Sequence, residues 1–382
     1  MSAIISRNNF KDLANSTRAI QEIGEIAQVA YEAGTLQDYF TVVPGIKGGT
    51  PIPVSTPSGF VTKKSKGNPT PDFSNYQAAV VTQNWNPQLQ EVRIRIAWTD
   101  FLNSFTQWLL ANGSSITDLQ GTDILRFLVD KIVNQMENDT IRIALNAKGT
   151  IGGESVLRTG VDAEDFNQID SGLIETLKTW KAGGTNFDQL ANNFDTIAKN
   201  QKIAANEGPG RRHQYEGFTN TYAKDIFKKL TTITQKLDFE PDTIFANYSL
   251  VENWIDWQQD NSSLESSKTQ LVSGQRNLTY RGYPVVELKR YENWREQNFA
   301  RDRRSQSQIT ANAPERNIVD TANIALFCRK ADLLLGVDAA ESLRDLEIVF
   351  LNGADEYIYI KANYFLDFKF GTPVEGAFRA AL

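Results

Sequence analysis

Alternation of apolar and polar side chains runs longest near the C-terminus, in Tyr357-Ile-Tyr-Ile-Lys-Ala-Asn-Tyr-Phe-Leu-Asp-Phe-Lys-Phe370. Ile358, Ile360, Ala362, Tyr364, Leu366, Phe368 and Phe370 form a wholly apolar or aromatic set. Tyr357, Tyr359, Lys361, Asn363, Phe365, Asp367 and Lys369 form a mixed, mostly polar one. Successive side chains of a strand point to opposite faces, so the pattern predicts a strand with one buried face and one wetter face. At ~3.3 Å per residue it spans roughly 45 Å, well beyond the usual strand. Leu346-Glu-Ile-Val-Phe-Leu351 precedes it, and Asn352-Gly353 between them is a turn signal. Together they predict a long antiparallel hairpin.

Spacings of three and four mark the helices. The strongest is predicted over 122–148, with Thr122 or Asp123 as cap and Gly149 as stop. Leu125, Leu128, Ile132, Met136, Thr140, Ile143 and Ala147 line one side; Arg126, Asp130, Asn134, Glu137 and Asn138 line the other. Its length of roughly 40 Å matches the hairpin, and a long amphipathic helix laid along long strands makes a two-layer unit. Ile20, Ile23, Ala27 and Ala30 give a narrower apolar face before Gly34. Glu91–Ile96 alternates as a strand, and Asp100–Leu110 reads as a helix with Phe101, Phe105, Trp108 and Leu109 on one side.

Residues 151–340 read as mixed α/β. Helices are expected at Leu173–Trp180, along Tyr222, Ile226, Leu230, Ile233 and Leu237, and at Ser249–Trp257. Strands are expected at Thr243–Ala246, on both sides of a turn within Leu278–Leu288, and at Asn323–Cys328. Arg290–Asn317, rich in Arg, Gln and Asn, reads as a surface loop.

Residues 42–90 break both periods. Seven of the twelve prolines fall there: Pro44, Pro51, Pro53, Pro57, Pro69, Pro71 and Pro87. Gly45, Gly48, Gly49, Gly59 and Gly67 join them, with Lys47, Lys63, Lys64 and Lys66. Such density excludes helix and central strand and leaves short β-like pieces, among them Gly59–Thr62 and Ala78–Thr82. An extended arm that lies on another subunit explains the mixture best; the alternative is a solvated surface loop, against which apolar Ile46, Ile52, Val54, Phe60 and Phe73 weigh.

Bulk composition adds limits. A chain of 382 residues has room for two or three folding units. Its net charge of −6 argues against a dominant basic footprint for nucleic acid. One cysteine, Cys328, forbids an intrachain disulfide and fits a reducing cytoplasm. The N-terminal residues lack a signal-peptide layout, and no apolar run reaches the ~20 residues of a membrane helix.

The chemistry search finds little. Nucleophilic triads need a histidine base. The one histidine, His213, sits in the turn Gly208-Pro-Gly-Arg-Arg-His213 and reads as an exposed loop residue. One Cys and one His cannot build structural zinc. Asp162, Glu164, Asp165 and Asp170 do not fit a calcium loop. No Gly-x-Gly-x-x-Gly or Walker pattern is present. Arg211-Arg212 and Arg301-Asp-Arg-Arg304 suit a hydrated face, phosphate binding or carboxylate pairing across an interface. Cys328 reads as a small buried hydrophobe. No catalytic residue, metal ligand or cofactor site is expected; carboxylate-only catalysis, which needs just two converging acids, stays open.

The order of elements resembles the major capsid proteins of tailed bacteriophages, which share the Hong Kong 97-type α+β fold. Local likeness lies in helix, then Pro241-Asp-Thr-Ile-Phe-Ala-Asn247, then helix; in Gly282-Tyr-Pro-Val-Val286; and in Phe368-Lys-Phe-Gly371. The resemblance implies an N-terminal arm over 1–41, an extended loop (E-loop) over 42–90, and a peripheral domain with a long spine helix over 91–150. An axial domain over 151–340, long peripheral strands over 341–371 and a tail over 372–382 complete it. It further implies a non-enzymatic shell subunit that self-assembles as hexamers and pentamers into an icosahedral virion around double-stranded DNA, inside the host bacterial cytoplasm. Scaffolding, portal and decoration proteins are possible partners, DNA contact is weak and non-specific, and no membrane is involved. The residues expected at subunit contacts are Lys47, Ile52, Val54, Phe60, Lys63, Lys64, Lys66, Arg301, Arg303 and Arg304. Alternatives are the shell protein of an encapsulin-type bacterial nanocompartment and, from another class, a carboxylate-dependent hydrolase.

Overall fold

A computed structural model of the chain describes residues 36–58, 77–97, 121–147, 169–182, 193–195, 221–232, 241–261, 278–291, 294–295, 300–302, 317–319, 323–337, 346–349, 357–373 and 377–382. In chain order the first elements are α1 (Leu36–Tyr39), β1 (Thr41–Pro44), β2 (Pro51–Ser58), β3 (Gln77–Asn84), β4 (Gln88–Ala97) and α2 (Gly121–Asn146). Then come α3 (Leu173–Ala182), β5 (Phe194–Asp195), α4 (Tyr222–Thr231), β6 (Thr243–Ala246), α5 (Tyr248–Asn261), β7 (Leu278–Tyr280) and β8 (Tyr283–Glu287). The rest are β9 (Ala300–Asp302), β10 (Asn317–Val319), β11 (Ala325–Cys328), a 3-10 turn (Lys330–Asp332), β12 (Leu333–Val337), β13 (Leu346–Val349), β14 (Tyr357–Phe370) and β15 (Arg379–Ala381). The chain is α+β. The expected helices over residues 20–30 and 100–110, and the turn at Asn352-Gly353, lie outside the described residues.

The chain divides into two compact units, the first comprising 1–48, 86–144 and 335–368. Its sheet runs β1-β12-β14-β13, with β4 also paired to β14. Strand β14 is the hub: it lies antiparallel to β13, and along Tyr357–Leu366 antiparallel to β4. Ile360, Ala362, Tyr364, Leu366 and Phe368 are buried, as the alternation requires. Ile132, Met136 and Ile143 of α2 are buried too. A hydrogen bond joins the Tyr364 and Thr140 side chains; burial, the larger influence, pushes the Tyr364 phenol above its ordinary value. Phe40 meets Phe368 edge-on at 5.9 Å.

One polar position defeats the helical pattern. Glu137, read on the wet side of α2, is buried, and its Oε1 accepts the Leu36 N–H at 2.5 Å. The first N–H groups of a helix have no partner within it, so a carboxylate is drawn to the start of α1. Glu137→Ala strands that buried donor and is expected to cost about 1–3 kcal/mol. Thermal unfolding checks this, with Glu137→Gln, which keeps an acceptor, losing less.

The second unit comprises 49–85, 145–334 and 369–382. Its larger sheet runs β5-β15-β11-β6-β8-β7. Strands β6 and β8 are parallel, whereas β11 lies antiparallel to β6 and β15. The β7–β8 turn needs left-handed backbone at Arg281 (φ 51°) and Gly282 (φ 88°), the two-residue hairpin geometry that glycine favours. Helices α4 and α5 supply Ile226, Phe227, Leu230, Leu250 and Trp254 to a core shared with Ile244, Tyr280 and Phe327. Fully buried Asn247 ties β6 to β11: its Oδ1 accepts the Ile324 N–H and its Nδ2 donates to Asn323 Oδ1. A second aromatic group joins Trp180, Phe370 and Phe378, with ring centroids 5.0–5.5 Å apart.

One sequence expectation is corrected, and one stretch is more ordered than its pattern showed. Residues 372–382, assigned to the C-terminal tail, carry β15 inside the six-stranded sheet, with Phe378, Ala380, Ala381 and Leu382 buried. A three-residue strand is too short to display a period. Arg290–Asn317, read as a surface loop, holds fully buried Tyr291 and Arg295 and contributes β9, which pairs antiparallel with β10. Its polar composition hid both, because an arginine stem can be buried along apolar surface.

Candidate assembly surfaces

The expected extended-loop range contains a ribbon of its own. Strands β2 and β3 pair antiparallel from Pro51↔Asn84 to Ser58↔Gln77 and form a separate two-stranded sheet. At its stem the Trp85 N–H donates to the Thr50 carbonyl at 3.0 Å, and the Gly49 N–H donates to the Trp85 carbonyl at 2.8 Å. Gly49 takes φ 79°, which suits a residue without Cβ. Gln83 Nε2 donates to the Phe370 carbonyl at 2.6 Å.

Three prolines survive in β2 because of their parity. Pro51, Pro53 and Pro57 are an even number of residues apart. In an antiparallel pair, alternate residues turn their N–H and C=O away from the partner, so a proline there forfeits no ladder bond. The Trp85-to-Thr50 bond fixes the phase and puts all three prolines in that outward set.

The expected contact residues distribute unevenly. Lys47 is exposed, half-buried Ile52 pairs with Gln83, and the backbones of Val54 and Arg301 pair with those of Val81 and Ile318. Phe60, Lys63, Lys64, Lys66, Arg303 and Arg304 lie outside the described residues, as do Arg211, Arg212, His213, Asp162, Glu164 and Asp165.

On the wetter face of the β4–β14 pair, Leu89 and Phe365 stand directly opposite each other, 52% and 37% exposed. Further along the same face Arg93 pairs with Glu91 at 2.9 Å, and toward its other end Arg95 lies over the Tyr357 ring at 4.5 Å. The alternation assigned Phe365 to the wet side; its apolar partner Leu89 became visible only through the register.

Buried acids among the described residues are spoken for by structural partners. Asp332 receives two bonds from Arg329, at 2.7 and 2.9 Å, and one from the Thr372 hydroxyl at 2.8 Å. Asp367 accepts the Asn86 and Phe368 N–H groups at 2.7 and 2.8 Å. Glu175 pairs with Lys178 at 3.3 Å. No cluster of three potential metal ligands occurs among the described residues, and none of their helices is long and apolar enough to cross a membrane. Cys328 is fully buried in β11, where desolvation pushes its thiol well above the ordinary 9.0. It is expected to resist maleimide labelling in the native protein and to label fully after denaturation, because the thiolate is the nucleophile.

No protein-family model and no curated protein matches the chain. Among solved structures it is similar to a chain of the satellite phage P4 procapsid that includes the size determination (Sid) protein. That match has 10% identity and a TM-score of 0.48, over 94% of this chain and 89% of that one. It is similar to a structure from Mycobacterium phage Ogopogo, with 11% identity and a TM-score of 0.44, over 91% of each chain. It is also similar to the virus-like particle from Pyrococcus furiosus, with 9% identity and a TM-score of 0.38, over 95% of this chain and 98% of that one. Identities and scores at this level carry neither activity nor partners from those proteins to this chain.

Proposed function

We propose that this protein is the structural subunit of an icosahedral shell, the major capsid protein of a tailed bacteriophage, which encloses double-stranded DNA and performs no catalysis. The observation that carries the reading is the β2–β3 ribbon, a long two-stranded sheet paired over eight positions on each strand. An isolated two-stranded hairpin is marginal in water, so a chain that maintains one this long gains its stability from a partner. The exposed Leu89–Phe365 pair offers a second, apolar surface on the wetter face of the β4–β14 pair, and the Arg95–Tyr357 contact near the other end of that face is of the aromatic-and-arginine kind enriched at interfaces. Buried carboxylates that satisfy backbone and arginine donors suit a scaffold more than an acid-base centre.

In this reading the subunits form hexamers and pentamers through non-covalent contacts that include Lys47, Ile52, Val54 and the stretch bearing Phe60, Lys63, Lys64 and Lys66. The segment around Arg301, Arg303 and Arg304 contributes as well. Scaffolding, portal and decoration proteins are its expected partners, and the net charge of −6 suits weak contact with packaged DNA. The test is the content of particles purified from the native source. Nuclease-resistant double-stranded DNA is expected. Particles loaded with a protein cargo and no DNA would replace the phage reading with the nanocompartment one.

A further inference from the structure

The two edges of the β2–β3 ribbon are chemically unlike. The outward-turned residues of β2 are Pro51, Pro53, Ser55 and Pro57, and those of β3 are Ala78, Val80, Thr82 and Asn84. Only Ser55 offers an N–H along the first edge, whereas every outward residue of the second offers both N–H and C=O. Among the described residues no other strand pairs with either edge.

Edge strands are guarded by proline, charge or bulges against pairing with other chains. Strand β2 carries three prolines; β3, Gln77-Ala-Ala-Val-Val-Thr-Gln-Asn84, has neither proline nor charge. In a chain made in many copies, the partner always at hand for a bare edge is another copy. One hairpin that guards one edge and leaves the other open has selected where that copy binds.

Resting on the shell reading above, we infer that the outer edge of β3 accepts an extended segment of a second copy of this chain as a third strand, and that the edge of β2 takes none. The β2 edge of the second copy cannot be that segment, since its prolines lack the donors. Addition therefore ends after one strand, and the ribbon forms a bounded joint instead of an open-ended sheet.

Proline scanning reads the edges separately. Thr82→Pro and Val80→Pro remove outward N–H groups from β3 and leave every β2–β3 ladder bond in place. Ser55→Pro removes the last outward N–H of β2. One lost hydrogen bond weakens each interface roughly tenfold, and a closed shell repeats that interface many times. The Thr82→Pro and Val80→Pro proteins are expected to stay unassembled at concentrations where wild type and Ser55→Pro form particles. Hydrogen exchange on wild type gives an arm independent of folding: the Ala78, Val80 and Thr82 amides should be protected in particles and exchange freely in unassembled subunits. Normal particle yield from Thr82→Pro, an equal defect in Ser55→Pro, or free exchange of those amides within particles overturns the inference and leaves the shell reading intact. Absence of particles from wild type itself removes both.

Discussion

Replacing Pro51–Asn84 with two glycines should yield a folded protein that no longer closes into shells. The ends of the deletion already meet, because Thr50 and Trp85 are joined by a hydrogen bond of 3.0 Å. A two-residue turn spans such a pair. Among the ribbon side chains that are described, Gln83 gives up its bond to the Phe370 carbonyl. That is worth about 0.5–1.5 kcal/mol. The cooperative unfolding transition should therefore survive nearly unchanged, while particle formation disappears. Shells of normal size from the deleted protein would show that the ribbon does not join subunits. Loss of the folded transition would show instead that it belongs to the core.

The second large effect separates two phenylalanines of one strand. Phe370 is fully buried between Trp180 and Phe378, with centroids at 5.4 and 5.0 Å. Phe370→Ala removes a ring from a packed site and is expected to cost about 3–5 kcal/mol through lost transfer energy and a residual cavity. That is a large part of the ~5–15 kcal/mol that holds a domain folded. Phe365, on the opposite face, is 37% exposed. Phe365→Ala should cost under about 1 kcal/mol in the unassembled subunit. Denaturant titration of the two variants checks the contrast. Equal losses would mean that the two faces of β14 are not the buried and open ones described.

The sequence revealed this strand because fourteen residues at period two leave little ambiguity. It revealed α2 for the same reason at a period of 3.6. Short elements stayed hidden: β9, β10 and β15 have three residues each and cannot display a repeat. Glu137 was misread because amphipathicity sorts residues by polarity, and a buried acid serving a distant N–H looks the same as a solvated one. The ribbon was half legible. Proline density announced an extended region, and the common parity of Pro51, Pro53 and Pro57 was there to be read as the mark of an outward-facing edge. Which strand faced them, and which edge stayed bare, needed the register Pro51↔Asn84. Of the basic contact residues, Lys47 alone shows its side chain among the described residues, as an exposed one.

The shell function requires many copies of this chain to close around a volume. Sedimentation velocity on purified protein, at a concentration where neighbours can meet, asks that question most directly. A narrow peak at a mass of many tens of subunits, together with hollow particles of one diameter by electron microscopy, is the predicted result. A single species at 42.8 kDa that stays monomeric over the whole concentration range, with any partners supplied, would contradict it.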